Sequence, residues 1–246
     1  MEIDVALVPQ AARPDDPAVF VVTDEIRAST TITTMLDIGC ADIFIEGALD
    51  AARRRGRETG SILVGERHLR RPPGFDFANS PLALLRAGVH DRSAVLSTTN
   101  GTAILKMLRR SEHVLVGCLR NARACGVAAV RLAEEQGVGI RVVCAGRLRR
   151  FVLEDAVAAG TIVTRAVEAA EARGIETDLT DAARVAVRLS RAYPDTLTAL
   201  LDSDGGRVLR QIGQEDDIPF CAEVDVTATV PVLRDGNPMR IERLEA

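Results

Sequence analysis

Histidine, the large aromatics and lysine are the scarce residues of this chain. Its 246 residues include three histidines (His68, His90, His113), no Trp, one Tyr and six Phe. A nucleic-acid platform that stacks bases on rings needs rings, so that class is excluded, and so is an aromatic sugar cleft. Three scattered histidines cannot build a His-rich zinc or di-iron centre. Any metal must then be held by carboxylates and other oxygens, which points to a hard ion such as magnesium. An excess of cations is missing too: 31 Lys and Arg face 35 Asp and Glu, for a net charge of −4. That balance provides no broad electrostatic footprint for nucleic acid.

No apolar run approaches the roughly 20 residues needed to span a membrane. Acids stand in Met1-Glu2-Ile3-Asp4, where a leader would be basic. The five cysteines (Cys40, Cys118, Cys125, Cys144, Cys221) form no C-x-x-C pair and are odd in number. These features predict a cytoplasmic protein with reduced, buried thiols. Lysine occurs once, at Lys106, so thirty of the 31 cations are arginine. A coding bias explains most of this, yet arginine's planar fork makes any pocket arginine a candidate anion ligand.

What is present is a regular beat. Short β-branched runs at 19–23, 41–46, 61–64, 94–97, 113–116 and 140–144 alternate with amphipathic segments at 29–38, 48–57, 80–87, 102–110, 122–135 and 153–172. The pattern predicts an α/β fold: a mixed, mostly parallel sheet with helices on both faces, in three layers. The strands lack polar alternation, as sheets covered on both faces require. The rhythm breaks after Gly174, where 181–192, 196–201 and 208–212 read as helical and no strand is expected before Phe220. This segment, 175–213, is either a cap or an added face within a single 1–246 domain. Strands at 220–225, 229–233 and 239–244 follow, and Asp235-Gly236-Asn237 is a turn signal for a C-terminal antiparallel hairpin at a sheet edge.

Parallel sheets bind ligands beyond the carboxyl ends of their strands. After 19–23 comes Asp24-Glu25-Ile26-Arg27-Ala28-Ser29-Thr30-Thr31. There Asp24 can face a cation, Arg27 can fork onto an anion, and Ser29 and Thr30 open a helix whose free amides favour phosphate. The bland alternative makes Ser29 an N-cap and Asp24 a turn residue. After 94–97, Thr98-Thr99-Asn100-Gly101-Thr102 can wrap an anion or merely cap a helix. The loop 65–81 carries Glu66, Arg67, Asp76, Asn79 and Ser80, a substrate loop or a solvated basic one. Glu154 and Asp155 open another helix, as metal ligands or as dipole partners. Cys144 to Arg150 fits the C-x5-R spacing of a cysteine phosphatase loop, but the Ser or Thr expected next is Phe151.

The blocks DEIRASTT, GER, GFDFANSP, TTNGT, CAG and FVLEDAVAAG, in this order, resemble the 2-phosphosulfolactate phosphatase (ComB) family over nearly the whole chain. The resemblance implies a Mg²⁺-dependent phosphatase that hydrolyses 2-phospho-3-sulfolactate, a step toward coenzyme M, or a related phosphorylated 2-hydroxy acid. On this reading Asp24 and Asp155 are the first metal candidates, with Glu154, Asp76 and Glu66 in reserve. Asp24, Arg27, Glu66 and Arg67 are the catalytic candidates. Arg27, Ser29, Thr30, Thr99, Asn100 and Gly101 hold the phosphoryl group, and Arg67, Asn79 and Ser80 hold the second anion. Water attack and a phospho-enzyme both remain open. The partner is a small phosphoester, with room for a homo-oligomer and none for nucleic acid or membrane. Two departures stand out. Ala78 replaces a glycine in GFDFANSP, and Arg147-Leu148-Arg149-Arg150 replaces a small or acidic residue and a glycine. The added arginines either draw a more anionic ligand or face water. Two alternatives are a catalytically reduced phosphometabolite-binding protein of the same fold and a Cys144 thiolate phosphatase.

Overall fold

The computed structural model describes residues 1–245. The alternating part of the chain comprises β1 (Glu2–Ala6), β2 (Ala18–Thr23), α1 (Ala28–Asp37), β3 (Ile43–Ile45), α2 (Leu49–Thr59), β4 (Ile62–Gly65) and β5 (Phe77–Ala78). It continues with α3 (Pro81–Ala87), β6 (Ala94–Ser97), α4 (Gly101–Met107), β7 (His113–Val116), α5 (Ala122–Gln136), β8 (Gly139–Cys144) and α6 (Leu153–Ala172). The remainder is β9 (Asp178–Leu179), α7 (Asp181–Ala192), α8 (Thr196–Asp202), α9 (Asp204–Gln211), α10 (Asp217–Cys221), β10 (Pro231–Arg234) and β11 (Arg240–Arg243).

All these strands join one mixed, mostly parallel sheet in the order β5-β4-β6-β3-β11-β10-β7-β2-β8-β1-β9. Side chains alternate between its faces. Phe20 and Val22 of β2 pack with Ile32 and Met35 of α1, Leu84 of α3 and Leu105 of α4. Val19 and Val21 pack on the other face with Ala129 of α5, Ile162 of α6 and Ala186 of α7. The strands can be apolar throughout because helices cover both sides.

The hairpin β10–β11 is antiparallel, as expected, but it does not lie at an edge. β10 pairs with β7 and β11 with β3, so the hairpin joins two parallel blocks in mid-sheet. Val232, Leu233 and Ile241 are buried there. The edges fall instead to two-residue strands, β5 and β9, which offer little backbone for unwanted pairing.

Three other expectations are corrected. The segment 220–225 is not a strand: α10 and a loop occupy it, and Ile218 and Cys221 pack against Leu200 and Leu209. Pro219 is tolerated because it falls in the first turn. β9 lies before Phe220, within the stretch read as purely helical. β1 lies outside the runs expected to be strands, although Glu2-Ile3-Asp4-Val5 alternates polar and apolar residues as a strand does. Ile3 and Val5 enter the core, whereas Asp4 lies opposite Arg141 of β8 and accepts from its Nε at 3.1 Å.

The segment after Gly174 serves two places. α7 packs on α6 and β1, extending a helical face. α8, α9 and α10 gather Leu200, Leu209 and Ile218 around Ile26 and Leu119, which follow the ends of β2 and β7. The five cysteines are buried and free. Among the described residues, no helix is long and apolar enough to cross a membrane.

Candidate active site

The carboxyl ends of β2, β4, β6 and β8 converge on a set of connected cavities. The tightest, with about 20 Å³ of water-sized space, is lined by Asp24, Glu154, Asp155, Asn100, Arg147 and Gly205, among others. That is room for one water or one ion, not for a phosphate. Leu69, Asn100 and Arg147 are shared with a second cavity of about 100 Å³, which Glu66, His68, Thr99 and Leu148 also line.

Each acid is held by backbone amides. Asp24 follows β2, and its Oδ1 accepts from Ala28 N, the first residue of α1, at 3.3 Å. Asp155 opens α6 and ties two loops: Oδ1 accepts from Glu25 N and Oδ2 from Gly146 N, both at 2.8 Å. Glu154 Oε1 accepts from Gly205 N at 3.1 Å, whereas its buried Oε2 has no partner. Glu66 accepts from Thr99 N at 2.6 Å and Leu69 N at 2.9 Å.

Burial and mutual repulsion disfavour the charged forms. Desolvation, with Glu66 and Glu154 nearby, pushes Asp24 up to about 7. Desolvation lifts Glu154 above the usual carboxylate range, and desolvation with Asp24 and Glu154 lifts Asp155 well above it. Buried acids this close are costly unless a cation compensates them. Among the described residues, no three His, Cys, Asp or Glu side chains are grouped to hold a metal ion by themselves. Asp24, Glu154 and Asp155 could supply part of an oxygen shell, with water and ligand oxygens completing it, which is the habit of Mg²⁺ rather than of zinc.

The structure separates the remaining candidates. Thr99 and Asn100 line the cavities, and the buried Thr99 Oγ1 has no partner. Gly101 packs behind Asp24. Ser29 is no N-cap: α1 begins one residue earlier, and Ser29 Oγ accepts from Asp24 N at 2.8 Å. Thr30 Oγ1 donates to Glu25 O at 3.0 Å. Arg67 donates to the carbonyls of Glu66, Ser97 and Gly47, binding strand ends together. Arg27 is fully buried and turned toward α10, with Nη1 2.6 Å from Asp217 Oδ2. Ser80 caps α3 and donates to the other Asp217 oxygen at 2.9 Å. Asn79 is buried, with Oδ1 unpartnered. Asp76 is exposed and accepts from Leu63 N at 2.7 Å, outside the residues lining the acidic cavity.

Two features escape a reading by local motif. Arg147 lines both polar cavities, and no described carboxylate pairs with it. Its sequence signals were its place just after the strand 140–144, where an arginine is a candidate anion ligand, and the departure from the family pattern. Gly205 arrives from the helical segment, just after Asp202-Ser203-Asp204, whose D-x-D spacing carries little weight because it follows a helix rather than a strand. Cys144 offers no nucleophile: it ends β8 within the core, and burial beside Asp155 raises its thiol well above the ordinary range.

Fold and site together describe an α/β protein with a buried carboxylate cluster at its strand ends, beside arginine and hydroxyl donors. The model of the 2-phosphosulpholactate phosphatase family matches residues 5–236. The chain is 40% identical over 221 residues to a probable 2-phosphosulfolactate phosphatase of Thermus thermophilus, covering 89% of each chain. It is 36% identical over 230 residues to one of Symbiobacterium thermophilum (91% of this chain, 94% of the relative). It is 33% identical over 240 residues to one of Deinococcus radiodurans (96% and 95%). The chain belongs to the 2-phosphosulpholactate phosphatase family.

Proposed function

We propose that this protein is a Mg²⁺-dependent phosphatase that hydrolyses a small anionic phosphomonoester, 2-phospho-3-sulfolactate or a related phosphorylated 2-hydroxy acid. The observation that carries the reading is the pairing of two spaces. One is an ion-sized cavity walled by Asp24, Glu154 and Asp155, and the other is a larger cavity bearing Thr99, Asn100 and Arg147. Family membership points to the same reaction class.

Phosphoryl transfer demands positioning and charge neutralisation more than covalent chemistry from the protein. Asp24, Glu154 and Asp155 would hold Mg²⁺, which when bound neutralises phosphoryl oxygens and eases deprotonation of water. Thr99 Oγ1 donates to a phosphoryl oxygen, and Arg147 forks onto another. Glu66 orients Thr99 through the amide it accepts from. Arg27 and Arg67 act at a distance, holding the loop after β2 and the ends of β4 and β6 in place.

A panel of phosphomonoesters, including phosphosulfolactate and phospholactate, assayed for phosphate release with Mg²⁺ and with EDTA, tests the proposal. Hydrolysis is expected with Mg²⁺ and not with EDTA. Asp24→Asn should lower kcat/KM by about 10²–10³-fold, the scale for losing one electrostatic element of such a site. Unchanged Mg²⁺-dependent turnover in Asp24→Asn would remove Asp24 from the site. Tight ester binding by calorimetry without phosphate release from any ester would favour the binding-protein alternative.

A further inference from the structure

Beside the two polar cavities lies a third and larger one, of about 540 Å³, sharing Thr99, Asn100 and Leu148 with them. Its other walls are largely apolar, and include Ala103, Ile104 and Met107 of α4 with Pro9 and Ala145. A cavity of this volume suits a ligand much larger than a three-carbon acid. The phosphate and the ion already have their places, so the apolar space has no function for a short, wholly polar ester.

The turn over this cavity spans residues 147–150. Arg147 and Arg150 exchange backbone hydrogen bonds at 3.1 and 3.0 Å. Between them, Leu148 (φ 50) and Arg149 (φ 64) adopt left-handed backbone that bulky residues rarely take. The turn is held in place from several sides. Asp155 takes Gly146 N, Asn100 Oδ1 takes Leu148 N at 3.3 Å, and Gln10 donates to Arg149 O at 3.0 Å. Strained residues so anchored mark functional positions. The result is an apolar wall that faces water: Leu148 is 68% exposed and Met107 38%. Arg149 lines the same cavity, and among the described residues its guanidinium has no carboxylate partner.

We infer that the substrate is an extended phosphomonoester of a 2-hydroxy acid, with an apolar carbon body lying along α4 and a terminal carboxylate or sulfonate meeting Arg149. The inference rests on the phosphatase reading above and adds the class of substrate. Within the turn, Leu148 and Arg149 set specificity: Leu148, on the border of the two cavities, covers the carbon body, and Arg149 reads its end.

The test uses the full chain with Mg²⁺ and a series of 2-phosphorylated ω-dicarboxylic acids of four, six and eight carbons, with phosphosulfolactate and phospholactate as the three-carbon references. kcat/KM should rise by about threefold to fourfold for each added methylene until the cavity is filled, the ratio given by ~0.8 kcal/mol per buried CH₂. Arg149→Ala, with a melting curve matching the parent's, should lower the six-carbon to three-carbon selectivity ratio at least tenfold. Leu148→Gly should flatten the length dependence. A series that is flat or falls with length, or an unchanged ratio in Arg149→Ala, would overturn the inference and leave the phosphatase reading standing. If no ester is hydrolysed, the phosphatase reading fails, and calorimetry decides the cavity by itself. Six-carbon 2-hydroxydiacid binding at least tenfold tighter than lactate, and losing that advantage in Arg149→Ala, supports it. Equal or absent binding overturns it.

Discussion

Gly101 shows how narrowly the acidic cavity is built. A Cβ there would stand 2.9 Å from Asp24 Oδ2 and 2.9 Å from the Ala28 side chain. Both neighbours belong to the loop and helix that hold Asp24, so a methyl group displaces the carboxylate rather than a free side chain. Gly101→Ala is expected to lower kcat/KM by about 10²-fold, the cost of a misplacement near 1 Å, while the chain stays folded. Steady-state kinetics beside a thermal melt check this, and equal losses in both would make the glycine a folding requirement only. At this scale the sequence was legible where a residue acts through its neighbours in the chain. Asp24, Thr99 and Asn100 follow strands and reach the cavities. Arg27, in the same motif as Asp24, does not, because its charge is taken by Asp217, 190 positions away.

That ion pair belongs to the scale of elements. Arg27 precedes α1, and Asp217 opens α10 while also accepting from Ser80 Oγ and Leu82 N of α3. One buried carboxylate therefore joins three helices on the side of the strand ends. Removing it leaves the fully buried Arg27 without a counter-charge, which costs about 3–5 kcal/mol. Asp217→Ala should lower stability by that amount in urea unfolding, and Arg27→Met with Asp217→Leu should recover much of the loss. A double variant no more stable than Asp217→Ala would contradict the pairing. Spacing within a helix or strand cannot announce such a contact. The same limit explains 220–225, a short segment whose pattern fits a strand as well as a helix. The long amphipathic segments, α5, α6 and α7, stand where their patterns put them.

Across the whole molecule, the acidic cluster couples folding to pH. Burial raises Asp24 to about 7 and Glu25 to about 8, and lifts Glu154 and Asp155 as well. The folded chain thus keeps protons that the unfolded chain releases near pH 4. Stability from these groups is fully present below that range and is lost as pH rises through the folded values. The metal-free protein should therefore melt at a lower temperature at pH 8.5 than at pH 6. A bound cation favours the ionised acids, so Mg²⁺ should raise the melting temperature more at pH 8.5 than at pH 6. Equal Mg²⁺ effects at the two pH values would place the ion away from this cluster.

The shortage of histidine and aromatics, the alternation of short strands with helices, and the acids and hydroxyls after the strands determined the class of fold and the kind of chemistry. Each is a local property, set by residue type and by spacing within one element. Tertiary structure decided what depends on distant partners. The hairpin β10–β11 lies in mid-sheet because β7 and β3 both present free edges to it. Arg27 is drawn from the site by Asp217, and Arg147 is brought into it by a turn anchored on Asn100 and Asp155. The apolar cavity beside that turn exists only where α4, the loop after β1 and the turn after β8 meet. Burial and charge pairing act through space, so they chose among the candidates that spacing along the chain had offered.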